Sequence, residues 1–283
     1  MPRLVTTTTG IGRLDGDVVS ELKLPYPDLG AALADGVSLH DVAAADTGAE
    51  SALSETELRA PVPHPTKIWA VGWAYHAHRE EVSHEQVHDD PFIFLKAPSS
   101  VAATRSVIRL PAIAPDKVDY EGELVIVIGK EATDVAEKDA VDYIAGFTIG
   151  NDVSARDVQK GDKPGRLANI SLGKSFDTFA PMGPCITTLD EFDDFNNLEL
   201  KTIVDGDQRQ HARTSDLIYP ISEIVAYTSA YTTLVPGDII MTGTPSGVGR
   251  PQGLFLKDKS SVQIEIEGIG VLENTVAHAV DKK

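Results

Sequence analysis

The sequence predicts a mainly-β chain with few helices, an α+β protein. Three observations point there. From residue 66 onward, short segments rich in β-branched and apolar residues follow one another between Gly, Pro and Asp. Two connections, "VDGDQRQ" and "EIEGIGVLEN", read as hairpin turns. One segment, "ISEIVAYTSAYTTL", repeats apolar residues at helical spacing over several turns, with Ser222 as its expected N-cap.

Taken in order, residues 1–60 read as a short strand pair followed by Ala-rich helical segments, "DLGAALADG" and "SLHDVAAADTG". The stretch "APVPHPTK" then sets Pro61, Pro63 and Pro65 at alternate positions, which forbids a helix and marks a junction. The expected organisation is a small N-terminal domain over 1–65 and a larger catalytic one over 66–283. In the second, "PFIFLKA", "SVIRLP", "ELVIVIG", "IAGFTIGND", "LELKTIVDGDQRQ", "DIIMTGTP" and "SVQIEIEGIGVLENTV" are the expected strands.

The 283 residues are 42% hydrophobic, enough for a sizeable core. Acidic residues outnumber basic ones 43 to 25, a formal net charge of −18. Such a surface repels phosphate backbones and anionic lipid, so neither nucleic acid nor membrane is an expected partner. An acidic small substrate needs a local cation instead. The N-terminus lacks an apolar run of signal length, and nowhere do ~18 apolar residues run together. Cys185 is the single cysteine, expected to be a packing residue. The expected location is the cytoplasm.

Three motif matches fail. "ANISLGKS" ends like a phosphate-binding loop but has Ala168 where that loop needs glycine. "GVGRPQG" spaces its glycines one residue too widely for a dinucleotide fingerprint. "GTPSGVG" sets its glycines wrongly around Ser246 for a nucleophile elbow.

The stretch "KVDYEGELVIVIG" is different. Residues two apart on a strand share a face about 6.6–7 Å apart, so Asp119, Glu121 and Glu123 line up. Carboxylates that close repel unless solvated or bridged by a cation. A solvated strand face is the ordinary reading of E-x-E, but this strand runs straight into an apolar segment typical of strands covered on both faces. Downstream, "GFTIGNDVSARDVQ" ends a strand before Asp152, which is either a helix N-cap or a third oxygen ligand. Three carboxylates without a thiolate favour a hard cation, Mg2+ or Mn2+.

"DYEGELVIVIG", "GFTIGNDVSARDVQ", "LGKSFDTFAPMGP" and "PGDIIMTGTPSGVG" occur in the order and spacing of the fumarylacetoacetate hydrolase family. The resemblance covers about residues 66–280. It implies a mixed β-sandwich roll, a homodimer, and a divalent metal held by Glu121, Glu123 and Asp152. It also gives meaning to "VGWAYHAHREE", which is similar to the family's Gly-x-Asn-Tyr followed by His and Glu: here Gly72, Tyr75, His78 and Glu81, with Ala74 in place of the asparagine. His and Glu three apart on a helical turn share one side, so the carboxylate can orient the imidazole. A charged surface loop is the alternative from spacing alone. A rival zinc site would use His76, His78, His84 and His88.

By motif position, Tyr75, Arg156, Gln159, Lys174 and Thr244 are implied substrate contacts, with Lys174 also catalytic beside His78 and Glu81. Lys174, among apolar and small neighbours, is either paired with a carboxylate or aimed at a ligand. Asp119 has no motif support as a ligand. The implied substrate is a small anionic 2-oxo acid. The leading expectation is hydrolytic carbon–carbon cleavage of an acylpyruvate or other β-diketo acid through a metal-stabilised pyruvate enolate. The alternative is oxaloacetate decarboxylation, or isomerisation or hydration of a hydroxymuconate-type dienoate.

Overall fold

In a computed structural model, residues 3–82, 89–162 and 167–279 are described. The chain opens as an antiparallel meander of β1 (Arg3–Thr6), β2 (Ile11–Asp15) and β3 (Val18–Leu22). Two short helices follow. α1 (Leu29–Ala34) is capped by the Asp28 side chain, and α2 (Leu39–Ala43) by Ser38. The expected strand pair is thus a triplet, and β4 (Thr47–Ala52) then joins β3. Every residue of β4 is exposed, so "TGAESA" has no apolar alternation by which to be found.

Beyond the prolines come β5 (Ile68–Gly72), α3 (His76–Glu81), β6 (Phe92–Lys96), β7 (Val101–Ala103), β8 (Val107–Leu110) and β9 (Val118–Asp119). The centre holds β10 (Gly122–Ile128), β11 (Ile144–Asn151), β12 (Ser154–Ala155), α4 (Arg156–Lys160), α5 (Ile170–Gly173) and β13 (Ala180–Thr187). The last part is β14 (Glu199–Val204), β15 (Asp207–Arg213), α6 (Ile221–Tyr231), β16 (Ile239–Met241), α7 (Gly249–Gln252), β17 (Ser261–Ile266) and β18 (Gly270–His278).

One mixed sheet runs β4-β3-β2-β1-β13-β11-β10-β16-β5-β6, with β7 pairing β13 off this path. Its antiparallel pairs are joined by parallel ones at β16–β5 and β13–β7. Because β1 pairs with β13, the opening strands and the later ones share this sheet across the proline junction. A second sheet, β15-β14-β17-β18-β8, packs on the first, β10 against β14, β11 against β17 and β13 against β18. This is the mainly-β, mixed sandwich roll that the motifs imply.

Both expected hairpins form. β14 turns into β15 through Asp205-Gly206, and both turn residues have positive φ, as a two-residue hairpin of this hand requires. The helix over 221–231 forms too, but Pro220 stands at its N-cap and Ser222 lies inside it. Proline fits that start because its missing N–H has no helical partner there. The Ser222 hydroxyl instead donates to Glu137. Cys185 packs in the core with its thiol against the Ile269 carbonyl, and burial raises its pKa to about 11. No helix among the described residues is long and apolar enough to cross a membrane.

β10 is the central strand, and all seven of its residues are buried. Leu124, Ile126 and Ile128 point into the cluster shared with the second sheet, and Val125 and Val127 into another cluster with Ile11, Leu33 and Met241. That two-sided burial is why "LVIVI" shows no polar alternation. Ile126→Ala should destabilise the protein by about 2–5 kcal/mol, read as a lower urea midpoint at unchanged m-value.

Candidate metal centre

The strand pairing that buries "LVIVI" also assembles the acids. β10 and β11 run antiparallel with Gly122 opposite Asn151. The Asn151 side chain accepts from the Glu121 N–H at 3.0 Å, and the Asp152 N–H donates to the Glu121 carbonyl at 2.9 Å. Asp152 is therefore set beside Glu121 by the end of the ladder. It is not an N-cap, since α4 begins only at Arg156, after Ala155. One carboxylate oxygen each from Glu121, Glu123 and Asp152 lies within 4.8 Å of the others, and all three residues are buried.

Buried carboxylates of this density need cations, and the chain supplies three. The Lys174 ammonium bridges Glu121 at 2.6 Å and Asp152 at 2.5 Å. Lys96, at the end of β6, donates to the other Asp152 oxygen at 2.5 Å and to the Lys174 carbonyl at 2.6 Å. The Arg156 guanidinium reaches Glu121 at 2.6 Å and Asp119 at 2.7 Å. Burial pushes the Glu121 carboxyl upward, but Lys174 and Arg156 outweigh it and hold the pKa at about 2. The Lys174 pKa is raised although burial opposes it, because Asp152 and Glu121 flank its ammonium. For Lys96 burial wins over Asp152 and lowers the pKa, with Lys174 adding repulsion.

Glu123 is the carboxylate left over. It accepts the Gly243 N–H at 2.7 Å and has no ion-pair partner among the described residues. Burial, then Asp152 and Glu121, push its pKa well above the ordinary carboxylate value. A hard divalent cation fits this place: three convergent carboxylate oxygens, no thiolate, and one negative charge without a counter-charge. Glu121, Glu123 and Asp152 are the residues that could hold it.

Asp119 stays outside the triad but organises its surroundings. Fully buried, it accepts from Arg156 and from the backbone N–H groups of Gly249 and Arg250 at 2.7 and 3.0 Å. Gly249 is needed there, because a Cβ would lie 2.7 Å from the Asp119 carboxylate and 2.1 Å from the Leu254 carbonyl oxygen.

An open cavity lies over the cluster, and His78, Glu121, Glu123 and Lys174 all line it. His78 Nδ1 donates to Glu81 at 3.2 Å, and the second Glu81 oxygen accepts the Gly247 N–H at 2.9 Å. The imidazole is thereby fixed as a tautomer whose Nε2 is left to accept a proton. His78 is buried, at 7% exposed, and Glu81 half-buried, so the pair is not a charged surface loop. His76, the zinc rival's other helical ligand, is exposed two residues away, and His84 and His88 lie outside the described residues.

The remaining expected contacts divide. Gln159 and Thr244 line the cavity. The Thr244 hydroxyl already donates to the Gly122 carbonyl and accepts from Gln210, so its one donor is spent. Tyr75 is fully buried, its hydroxyl has no hydrogen-bond partner among the described residues, and it is absent from the cavity lining. Lys96 was not singled out from the sequence. On a strand ending "FIFLK" the binary pattern is inverted, with Leu95 exposed and Lys96 buried.

A buried carboxylate triad beside a His–Glu pair, on a mixed β-roll, is a group that could hold a metal ion. The chain belongs to the fumarylacetoacetate hydrolase family, whose C-terminal family model matches residues 67–277. Oxaloacetate tautomerase YisK of Bacillus subtilis is 39% identical over 228 residues, covering 79% of this chain and 74% of that protein. The mitochondrial oxaloacetate tautomerase Fahd2a of Rattus norvegicus is 40% identical over 225 residues, covering 79% and 70%. The crystal structure of 2-hydroxyhepta-2,4-diene-1,7-dioate isomerase from Mycobacterium marinum is similar over the full length of both chains, with a TM-score of 0.80 and 36% identity.

Glu123 yields a test. Its folded pKa lies above the unfolded value, so its contribution to stability is full at low pH and is lost as pH rises through the folded pKa. In metal-free protein, Glu123→Gln should flatten that decline, and its melting temperature at pH 8 should equal or exceed the wild type's. The same variant should bind Mn2+ at least ~10-fold more weakly by titration calorimetry.

Proposed function

We propose that the protein is a divalent-metal-dependent enzyme of 2-oxo acid enolisation, moving a proton between the carbon beside the 2-oxo group and its oxygen. The observation that carries this reading is one cavity lined by His78 and by Glu121 and Glu123, two of the three clustered carboxylates. Glu121, Glu123 and Asp152 would hold Mg2+ or Mn2+. When bound, the cation supplies positive charge against the enolate oxygen that develops as the proton leaves.

The chain's own residues do the rest. His78 Nε2 takes a proton from carbon 3; the C–H electron pair becomes the C2–C3 double bond, and the carbonyl electrons move to oxygen. His78 then returns the proton to that oxygen, or runs the sequence backwards. Glu81 stabilises the transient imidazolium and fixes the ring, itself held by Gly247. Lys174 keeps Glu121 and Asp152 ionised and facing each other. Relatives described as oxaloacetate tautomerases and a dienoate isomerase support a proton-transfer outcome.

A second reading is hydrolysis of an acylpyruvate, with His78 deprotonating water instead of carbon. The same base and enolate serve both. Oxaloacetate tautomerisation, followed by loss of enol absorbance, separates this reading from pyruvate release from acetylpyruvate. The proposed enzyme gives the first signal, loses it in EDTA and regains it with Mg2+. Activity indifferent to EDTA sinks the reading. His78→Ala should lower turnover by about 10²–10⁴-fold while leaving Mn2+ binding intact.

Gly247→Ala tests the anchoring of the base. Gly247 has φ +99°, and a Cβ there would lie 1.9 Å from the Arg209 carbonyl oxygen, so the loop must shift and take its N–H away from Glu81. We expect kcat to fall about 10–100-fold, with Mn2+ affinity unchanged by calorimetry.

A further inference from the structure

β15 is an edge strand of the second sheet, exposed or half-buried at every residue but Gln210, which is 1% exposed. A primary amide held in a core needs partners for its oxygen and for both N–H groups, and Gln210 has three. Its Oε1 accepts the Gly122 N–H at 3.0 Å. Its Nε2 donates to the Thr244 hydroxyl at 2.8 Å and to the Pro245 carbonyl at 2.9 Å. The Thr244 hydroxyl in turn donates to the Gly122 carbonyl at 3.0 Å. Gly122, Gln210 and Thr244 thus close a ring of hydrogen bonds.

The ring joins two backbone segments that carry the site. Gly122 stands between Glu121 and Glu123, two of the three clustered carboxylates. Thr244 and Pro245 lie between Gly243, whose N–H holds Glu123, and Gly247, whose N–H holds Glu81. The edge strand is shaped for this reach. Thr202 of β14 faces Gln210 while Ile203 faces Gln208, which leaves Arg209 as the extra residue of a β-bulge. Bulges re-aim the side chains beside them. The carbonyl of that same Arg209 lies 1.9 Å from where a Gly247 Cβ would stand, so the loop is seated on the bulge. Gln210 does not line the cavity, so any effect it has there passes through these neighbours.

We propose that Gln210 is a positioning residue of the metal centre. It sets the Glu121–Glu123 segment and the 243–247 loop against each other, and so holds the carboxylates and the Glu81 anchor in one frame. This rests on the reading above, in which the carboxylates hold a divalent cation and His78 is the base. A glutamine that only filled the core would add stability and leave metal affinity unchanged.

The test is Gln210→Met, which keeps the volume and removes all three hydrogen bonds. In the metal-free protein, amide hydrogen exchange at Gly243 and Gly247 should speed at least about tenfold while Ile126 and Val127 in β10 stay protected. Titration calorimetry should show Mn2+ bound about 10–100-fold more weakly. For oxaloacetate tautomerisation kcat should fall about tenfold at unchanged KM, since Gln210 meets no substrate. If Gln210→Met does not fold, the near-isosteric Thr244→Val opens the ring at its other side and should reproduce the faster Gly243 exchange and the weaker Mn2+ binding. Wild-type Mn2+ affinity and wild-type exchange in the folded variant overturn the assignment. Protection lost evenly along β10 also overturns it, since that marks a general stabilising role. A wild type that binds no Mn2+ overturns the metal-centre reading and this assignment with it. A wild type that binds Mn2+ without tautomerising oxaloacetate overturns the proposed reaction alone, and the exchange and affinity measurements still decide the role of Gln210.

Discussion

The Arg156 guanidinium lies between Asp119 and Glu121, and the Lys174 ammonium between Glu121 and Asp152. Those contacts link carboxylates that could not otherwise be buried together. Each ion taken out of water costs several kcal/mol, and removing one partner of such a pair costs about 3–5 kcal/mol because the other charge stays behind. The network therefore tolerates little displacement, and the elements that carry it must be rigid. Asp152 hangs from the end of the β10–β11 ladder, Lys96 from the end of β6, and Arg156 from the start of α4. The sheet supplies that rigidity, since β10 is buried on both faces for its whole length.

Within the network one charge is left uncompensated. Glu121 and Asp152 have fixed protein cations, and Glu123 has only a backbone N–H. A centre whose every carboxylate was paired would be stable and inert toward a metal. One whose carboxylates were all unpaired would protonate. A single buried carboxylate short of a cation favours its protonated form, and a divalent ion at that place would supply the missing charge.

The strands, the two hairpins and the ordered motifs were legible because each is written in local pattern: β-branched runs, Asp-Gly turns, and acids at period two. Glu121, Glu123 and Asp152 were readable for the same reason, although they come together through pairing between strands. Lys96 was not. A lysine ending a strand ordinarily reaches solvent, and only the three-dimensional position of Asp152 turns it inward. Asp119 lies outside the carboxylate triad, and its grip on Gly249 and Arg250, some 130 residues on, has no signal in a single sequence. β4 has no legible signal because its exposed residues carry no pattern, and Ser222 fits a side-chain capping rule while Pro220 fills that place through backbone geometry.

The loop from Gly247 to Arg250 joins the two halves of the chemistry. The Gly247 N–H holds Glu81 and hence the orientation of His78, while its carbonyl accepts from the Tyr120 hydroxyl. Two residues on, Gly249 and Arg250 donate to Asp119, which in turn positions Arg156 against Glu121. Base and carboxylate cluster are thus referenced to one short backbone segment rather than to each other. Tyr120 and Asp119 are adjacent in the strand-end segment that leads into β10, so that segment receives the loop at both points. The acids at the edge of "DYEGELVIVIG" accordingly do two jobs. Glu121 and Glu123 could present oxygens to a cation, and Asp119, in the same segment, fixes the loop whose Gly247 N–H holds Glu81.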